Sequence, residues 1–290
     1  MNLTITGSST ALFSTWYFIE ELGILFDAGD GVISGLNQKV GKIKHAFISH
    51  PDRDHLSALY RLNPLNDRIQ IYYPKDAGSF PALETFSKHF DPDKKRSDWQ
   101  GIVDQENIFL RNDLKVVAVR NEHIAADIGI HKSLSFKVSS CKKKLKKEYI
   151  NLSQEEIKNL IAEQGKDYLL QEETKPIITY SGDTPVDDYS RFDNSNILIH
   201  EATFLDSQND RLLVNARNKH SSLEEVIEMV ANIKINHLIL GHFSLRYSQE
   251  LIDSEIVRLS KKFNLKIPVH RLKTGTTHRN ILTEEPIYSS

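Results

Sequence analysis

The sequence predicts an α/β protein, an αββα sandwich of two mixed β-sheets with helices outside. Two observations carry this reading. Several short β-rich runs followed by a helix recur roughly twice along the 290 residues, an order that suits two sheets packed together beneath outer helices. A chain of that length can bury a sizeable core, and neither a repeat at solenoid periods nor a low-complexity linker divides it. One domain spanning residues 1–290 is therefore the simpler organisation.

In order, residues 3–6, 16–19, 23–26, 46–48, 69–73, 108–110 and 116–119 read as strands. Each is rich in β-branched, aromatic or aliphatic residues and bounded by Gly, Asn or Asp punctuation. Helical patterns fall near residues 56–62 and 82–88. A strand at 134–138 leads into a basic stretch with Lys142, Lys143, Lys144, Lys146 and Lys147. A helix comes next, in which Ser153 and Glu156 form a capping box, Ile157, Leu160 and Ile161 share an apolar face, and Gly165 can end it. Residues 177–180 and 197–199 are strands again. Ser222 and Glu225 make a second capping box, opening a helix through Ile233 with Val226, Met229, Val230 and Ile233 turned inward. Residues 237–240 form a strand, 249–263 an amphipathic helix and 268–272 a last strand.

Hydrophobic content of 39% with 26% charged residues is that of an ordinary soluble globular protein. A net charge of −2 gives no overall field for nucleic acid, so any such binding has to use a local patch. The single cysteine, Cys141, excludes an internal disulfide and argues for a reducing compartment. The N-terminus lacks a signal-peptide pattern, and no apolar run reaches the ~18 residues that span a bilayer. A cytoplasmic protein without membrane contact is expected.

The most informative stretch places His50, Asp52, Asp54 and His55 within six residues, directly after an apolar run that reads as a buried strand. Residues two apart in extended chain point the same way, so His50 and Asp52 can share one ion, while Asp54 and His55 open the next helix and face a second. Four more strand-like runs end on metal-capable or acid/base side chains: His123, Asp183, the pair His200 and Glu201, and His242. Each alone is weak, since a Gly-Asp-Thr is usually a turn and a histidine after a strand is usually a core or loop residue. Five such strand ends in one chain are hard to obtain by accident.

Together these segments resemble the metallo-β-lactamase superfamily, whose signature is His-x-His-x-Asp-His followed by a distant His, Asp and His. The resemblance runs from about residue 3 to 273. It implies two divalent cations, zinc first, with manganese made possible by the carboxylate of Asp52. His50, Asp52 and His123 would hold one; Asp54, His55 and His242 would hold the other, with Asp183 bridging. Asp27 would support the ligand loop. Within the superfamily the chain is most similar to ribonuclease Z, the endonuclease that trims tRNA 3′ ends. Ser181-Gly-Asp-Thr184, Ile199-His-Glu-Ala-Thr203, and His220-Ser-Ser222 followed by a helix and His242-Phe-Ser-Leu-Arg-Tyr247 carry that narrower likeness. It implies that Glu201 pairs with His220, that tRNA or another RNA is the phosphodiester substrate, and that the protein forms a homodimer.

The chain departs from that family in three places. Asp52 stands at the signature's second histidine, which adds negative charge and favours a harder ion. The Gly/Pro-rich protruding arm expected between His123 and Asp183 is replaced by the lysine stretch and a helix, readable as a solvated face or as a phosphate-tracking patch. The loop at residues 7–11 is shorter than expected. The implied reaction is phosphodiester hydrolysis by a metal-bound hydroxide. Asp54 would orient the nucleophile and take its proton, His220 steered by Glu201 would protonate the leaving group, and Arg246 would grip a phosphate oxygen. Two other readings stay open: a hydrolase of another bond on the same fold (thioester, lactone, β-lactam or cyclic phosphodiester), or an inactive, metal-free binding protein made possible by Asp52.

Overall fold

The computed structural model describes residues 2–65, 68–91, 97–206 and 219–289. One sheet has six strands in chain order: β1 (Ile5–Thr10), β2 (Ser14–Ile19), β3 (Ile24–Phe26), β4 (His45–Phe47), β5 (Ile69–Pro74) and β6 (Ser97–Ile102). It is antiparallel as far as β3 and parallel from there. The second sheet has seven strands. They are β7 (Asn107–Arg111), β8 (Leu114–Arg120), β9 (Leu134–Leu145), β10 (Leu170–Tyr180), β11 (Ser195–Glu201), β12 (Ile235–Gly241) and β13 (Val269–Arg271), in spatial order from β13 back to β7. Its β10–β13 half is parallel and its β7–β10 half antiparallel.

Alternation along the strands decides how these sheets stack. Phe26 and Phe47 enter the shared interior, while Leu25, Ala46 and Ile48 face outward. In the other sheet Ile197, Ile199 and Ile239 enter the same interior, and Leu198, Leu238 and Leu240 face outward. Helices α1 (Val32–Leu36), α2 (Arg53–Leu56) and α3 (Ser79–Phe90) lie along the first sheet; Val32, Leu36 and Phe80 join its outer cluster. Helices α5 (Leu223–Ala231) and α6 (Gln249–Lys262) cover the second through Val226, Met229, Ile252 and Ile256. Aromatic rings bridge the sheets: Phe26 stacks on Phe136 at 6.1 Å and on Tyr180 at 5.0 Å between centroids. This is the αββα sandwich expected from the sequence.

Several elements differ from the reading. The helix expected at 56–62 is only the short α2 followed by a 3-10 segment, Leu59–Leu65. Its ladder is interrupted because the Ala58 N–H turns to the Ala28 carbonyl at 2.8 Å. Strand β6 carries no apolar run; it is an edge strand with only Ile102 buried, so periodicity gives no signal. The capping boxes of Ser153 with Glu156 and of Ser222 with Glu225 both form, but α5 stops at Ala231, before Ile233. The lysine stretch is strand: β9 runs through Lys142, Lys143 and Lys144, and past Thr174 it pairs with β10 as a two-stranded ribbon. Helix α4 (Gln154–Gln164) stands at the far end of that ribbon and buries none of its residues. Among the described residues, no helix is long and apolar enough to cross a membrane.

Candidate metal centre

Strands β8, β10, β11 and β12 run in one direction, so the segments leaving them gather at one edge of the sandwich. His123 follows β8, Asp183 follows β10, Glu201 ends β11 and His242 follows β12. From the facing sheet the turn after β4 brings His50, Asp52, Asp54 and His55. Two residues here hold a left-handed backbone that side chains other than glycine rarely adopt: Asp27 at φ 54° and His242 at φ 61°. Strain of this kind persists where the surroundings over-determine it. Just before His242, a Cβ on Gly241 would lie 2.0 Å from the Tyr17 hydroxyl, so glycine alone lets that strand end seat.

Seven of the expected residues converge. Asp183 Oδ2 lies 3.7 Å from His50 Nε2, 3.3 Å from His55 Nε2 and 3.2 Å from His242 Nε2. Asp54 Oδ2 is 3.5 Å from His55 Nε2 and 3.2 Å from His242 Nε2. Asp52 Oδ2 is 3.7 Å from His50 Nε2 and 3.5 Å from His123 Nε2. Ligand atoms of His50, Asp52 and His123 fall within 4.8 Å of one another, as do those of Asp54, His55 and His242. Asp183 stands between the two groups.

Each imidazole uses its other nitrogen as an anchor. His55 Nδ1–H donates to Asp27 Oδ2 at 2.7 Å. The Ser49 hydroxyl donates to Asp27 at 2.8 Å, so it accepts from His50 Nδ1–H at 2.9 Å. His123 Nδ1–H donates to the Lys219 carbonyl at 2.8 Å. The Thr203 hydroxyl donates to Glu201 at 2.6 Å and accepts from His242 Nδ1–H at 2.8 Å. These networks orient the rings and turn four Nε2 atoms toward shared space, which is how metal-ligating histidines are normally oriented.

The charges suit cations. Asp27, Asp54, Asp183 and Glu201 are all buried, and among the described residues their ion-pair partners are imidazoles, never lysine or arginine. Buried anions need compensation. Burial opposes charge on His55, yet Asp183, Asp27 and Asp54 overcome it and hold that ring protonated well above its usual range. Burial and the neighbouring His55 and His123 push His50 the other way, and its buried Nε2 has no hydrogen-bond partner. An orphaned nitrogen beside carboxylates whose partners are imidazoles is a donor set for two divalent ions.

Glu201 and His220 also meet, with Nδ1 3.1 Å from Oε1. Glu201 further accepts the Thr184, Ser221 and Thr203 amides at 3.0, 3.1 and 3.0 Å, which locks the carboxylate. Burial disfavours charge on His220, but Glu201 outweighs it and lifts the imidazole to about 9. Arg246 is exposed and lies over the Phe204 ring, 5.4 Å from its centroid, which in turn meets His220 at 6.0 Å. His200 sits apart from the centre, buried, with Nδ1–H donated to the Glu201 carbonyl. Sequence reasoning gave no role to Ser49, Thr203, Tyr180 or the Lys219 carbonyl. Ser49 and Thr203 lie inside recognisable segments, whereas Tyr180, which donates to Asp27, and Lys219 act through contacts that no local pattern marks.

No family model matches the chain. Ribonuclease Z of Thermococcus kodakarensis is 30% identical over 292 residues, covering 90% of this chain and 90% of its own. A tRNase Z of Arabidopsis thaliana is 28% identical over 268 residues, covering 88% of this chain and 90% of its own. Among solved structures, the metallo-β-lactamase fold protein YhfI of Bacillus subtilis matches with a TM-score of 0.63 at 14% identity, over 95% of this chain and 99% of that one. Zinc-bound PqqB of Methylobacterium extorquens matches with a TM-score of 0.61 at 11% identity, over 95% and 99%. The structural likenesses show the fold and the sequence relatives show the lineage: this chain belongs to the ribonuclease Z family, built on the metallo-β-lactamase fold.

Proposed function

We propose that the protein is a two-metal phosphodiesterase that cuts RNA, with precursor tRNA bearing a 3′ trailer as its substrate. The observation that carries this reading is the arrangement of four anchored imidazoles around Asp183, with the buried Glu201–His220 pair alongside. His50, Asp52 and His123 would hold one divalent ion and Asp54, His55 and His242 the other, with Asp183 shared. Zinc suits the four imidazoles; Asp52 makes manganese the second candidate. Bound there, the ions supply a water acidified to a pKa of about 7 and positive charge against the phosphoryl oxygens.

The chain's own groups do the rest. Asp54, whose Oδ2 accepts the Leu12 N–H at 3.0 Å, is held in place to take the proton of the attacking water. Glu201 holds His220 by Nδ1, so the opposite nitrogen can deliver a proton to the departing alkoxide. Arg246 can meet a phosphate oxygen with its planar fork. A cytoplasmic homodimer is the accompanying assembly, and a monomer by light scattering would dismiss that part. Incubation with a trailer-bearing precursor tRNA beside bis(p-nitrophenyl) phosphate tests the main reading. Cleavage of both supports it, cleavage of the small ester alone removes the tRNA role, and cleavage of neither refutes the chemistry.

A further inference from the structure

The turn between β1 and β2 exposes two large apolar side chains, Leu12 at 87% and Phe13 at 60%. Isolated apolar residues on a surface are ordinary, but this pair is held in place by unusual means. Leu12 adopts φ 69°, a conformation that glycine would take without penalty and leucine does not. Its N–H donates to Asp54 Oδ2 at 3.0 Å, the same oxygen that lies 3.2 Å from His242. The Ala11 N–H donates to the carbonyl of Phe243, next to His242, at 3.3 Å, and the Phe13 N–H closes the turn on Thr10 at 3.1 Å. From the other side Gly275 N–H donates to the Thr10 hydroxyl at 2.8 Å. The turn is therefore fixed to the centre itself, with a strained leucine and a phenylalanine kept in water.

We infer that Leu12 and Phe13 form a platform on which a nucleobase next to the scissile phosphodiester packs. This deepens the phosphodiesterase reading and rests on it. A metal centre grips any phosphodiester; the two nucleotides that the phosphate joins carry bases to either side of it. Bases of single-stranded nucleic acid splay onto apolar and aromatic side chains, and such stacking tolerates any base because each has a π-face. A platform one hydrogen bond away from Asp54 would separate a nucleic-acid strand from a small diester without reading sequence.

Two measurements test it. Metal-free protein is titrated with a short oligoribonucleotide carrying 2-aminopurine, placed on either side of the cleavage position in turn. Wild type is expected to quench the fluorophore at one position, Phe13→Ala to lose the quench and Phe13→Tyr to restore it. With metal-loaded protein, Phe13→Ala is expected to lower kcat/KM about 5- to 100-fold on the intact oligonucleotide. It should leave the rate unchanged when that nucleotide is abasic, and Leu12→Ala should show the same pattern with a smaller loss. Quenching that survives Phe13→Ala, or equal losses with and without the base, overturns the platform. Failure of wild type to cleave either oligonucleotide instead strikes the phosphodiesterase reading, and the quench still judges the platform separately.

Discussion

Replacing Asp27 by asparagine tests whether the histidine anchors hold the metal centre together. Asparagine tolerates the 54° φ of this position, so the backbone is left alone and only the carboxylate changes. That carboxylate accepts four donors: the Ser49 N–H at 2.7 Å on one oxygen, and the Ser49 hydroxyl, His55 Nδ1–H and Tyr180 hydroxyl on the other. A carboxamide keeps one acceptor. If its oxygen faces His55, its NH2 confronts the buried Ser49 amide; if turned around, it confronts the His55 N–H. Either way at least one buried donor is orphaned, at a cost of about 1–3 kcal/mol, and the charge that pins His55 is lost. A supporting partner of a metal ligand normally carries a similar weight, about 10- to 100-fold in affinity. The variant is therefore expected to bind the ion held through His55 about 10- to 100-fold more weakly, read by zinc titration against a chromophoric chelator. Wild-type affinity for both ions would refute the claim that this buried carboxylate orients the centre.

The remaining predictions concern chemistry, packing and pH. Asp183→Ala or His55→Ala should abolish hydrolysis of bis(p-nitrophenyl) phosphate with the fold intact by circular dichroism; retained activity in both would remove this centre from the mechanism. His220→Ala should slow alkoxide leaving groups about 100-fold or more while sparing nitrophenolate, and equal losses on both would exclude an acid role. Gly241→Ala forces a methyl to 2.0 Å from the Tyr17 hydroxyl and should lower stability by about 1–3 kcal/mol, seen as a drop in Tm. Burial lowers His200 to about 4, against about 6.5 in the unfolded chain. Above pH 6.5 both states are neutral. Between 6.5 and 4 only the unfolded chain gains the proton, so stability falls with pH by on the order of 3 kcal/mol. Urea unfolding of His200→Gln beside wild type should flatten that limb, and parallel curves would count against it.

The sandwich was legible because its central strands are short apolar runs with a two-residue period, and because Ser153 and Ser222 announce their helices. The candidate ligands were legible for a related reason: each lies just after a strand, and parallel strands deliver their next residues to one edge. The features that stayed hidden depend on partners distant in sequence. Strand β6 is polar and takes its place by pairing with β5. Ser49 and Thr203 matter only once Asp27 and Glu201 occupy one side of their hydroxyls. The lysine stretch gave no strand signal for a different reason: three consecutive lysines, exposed as a solvated face should be, break the apolar alternation, and only pairing with β10 makes them strand.

That register also limits the ribbon's chemistry. Between residues 141 and 175 there are eight lysines and seven acidic residues. Pairing sets Lys142 opposite Glu173 and Lys143 opposite Glu172. Lys143 reaches Asp167 at 2.7 Å, Lys144 reaches Glu173 at 2.5 Å and Lys115 reaches Glu172 at 3.0 Å, while Lys146 lies over the Tyr168 ring at 4.7 Å. Affinity for a phosphate backbone comes from cations that trade condensed counterions for phosphates, each adding about 0.9 to the salt slope on duplex DNA and about 0.7 on single strands. A lysine already paired to a glutamate must first give up that partner, so it contributes less of this exchange. The ribbon extends from the sandwich without forming the electrostatic track that its lysine run suggests in one dimension. Selectivity for a nucleic acid would then have to arise close to the metal centre, where buried carboxylates, anchored imidazoles and the β1–β2 turn are fixed to one another.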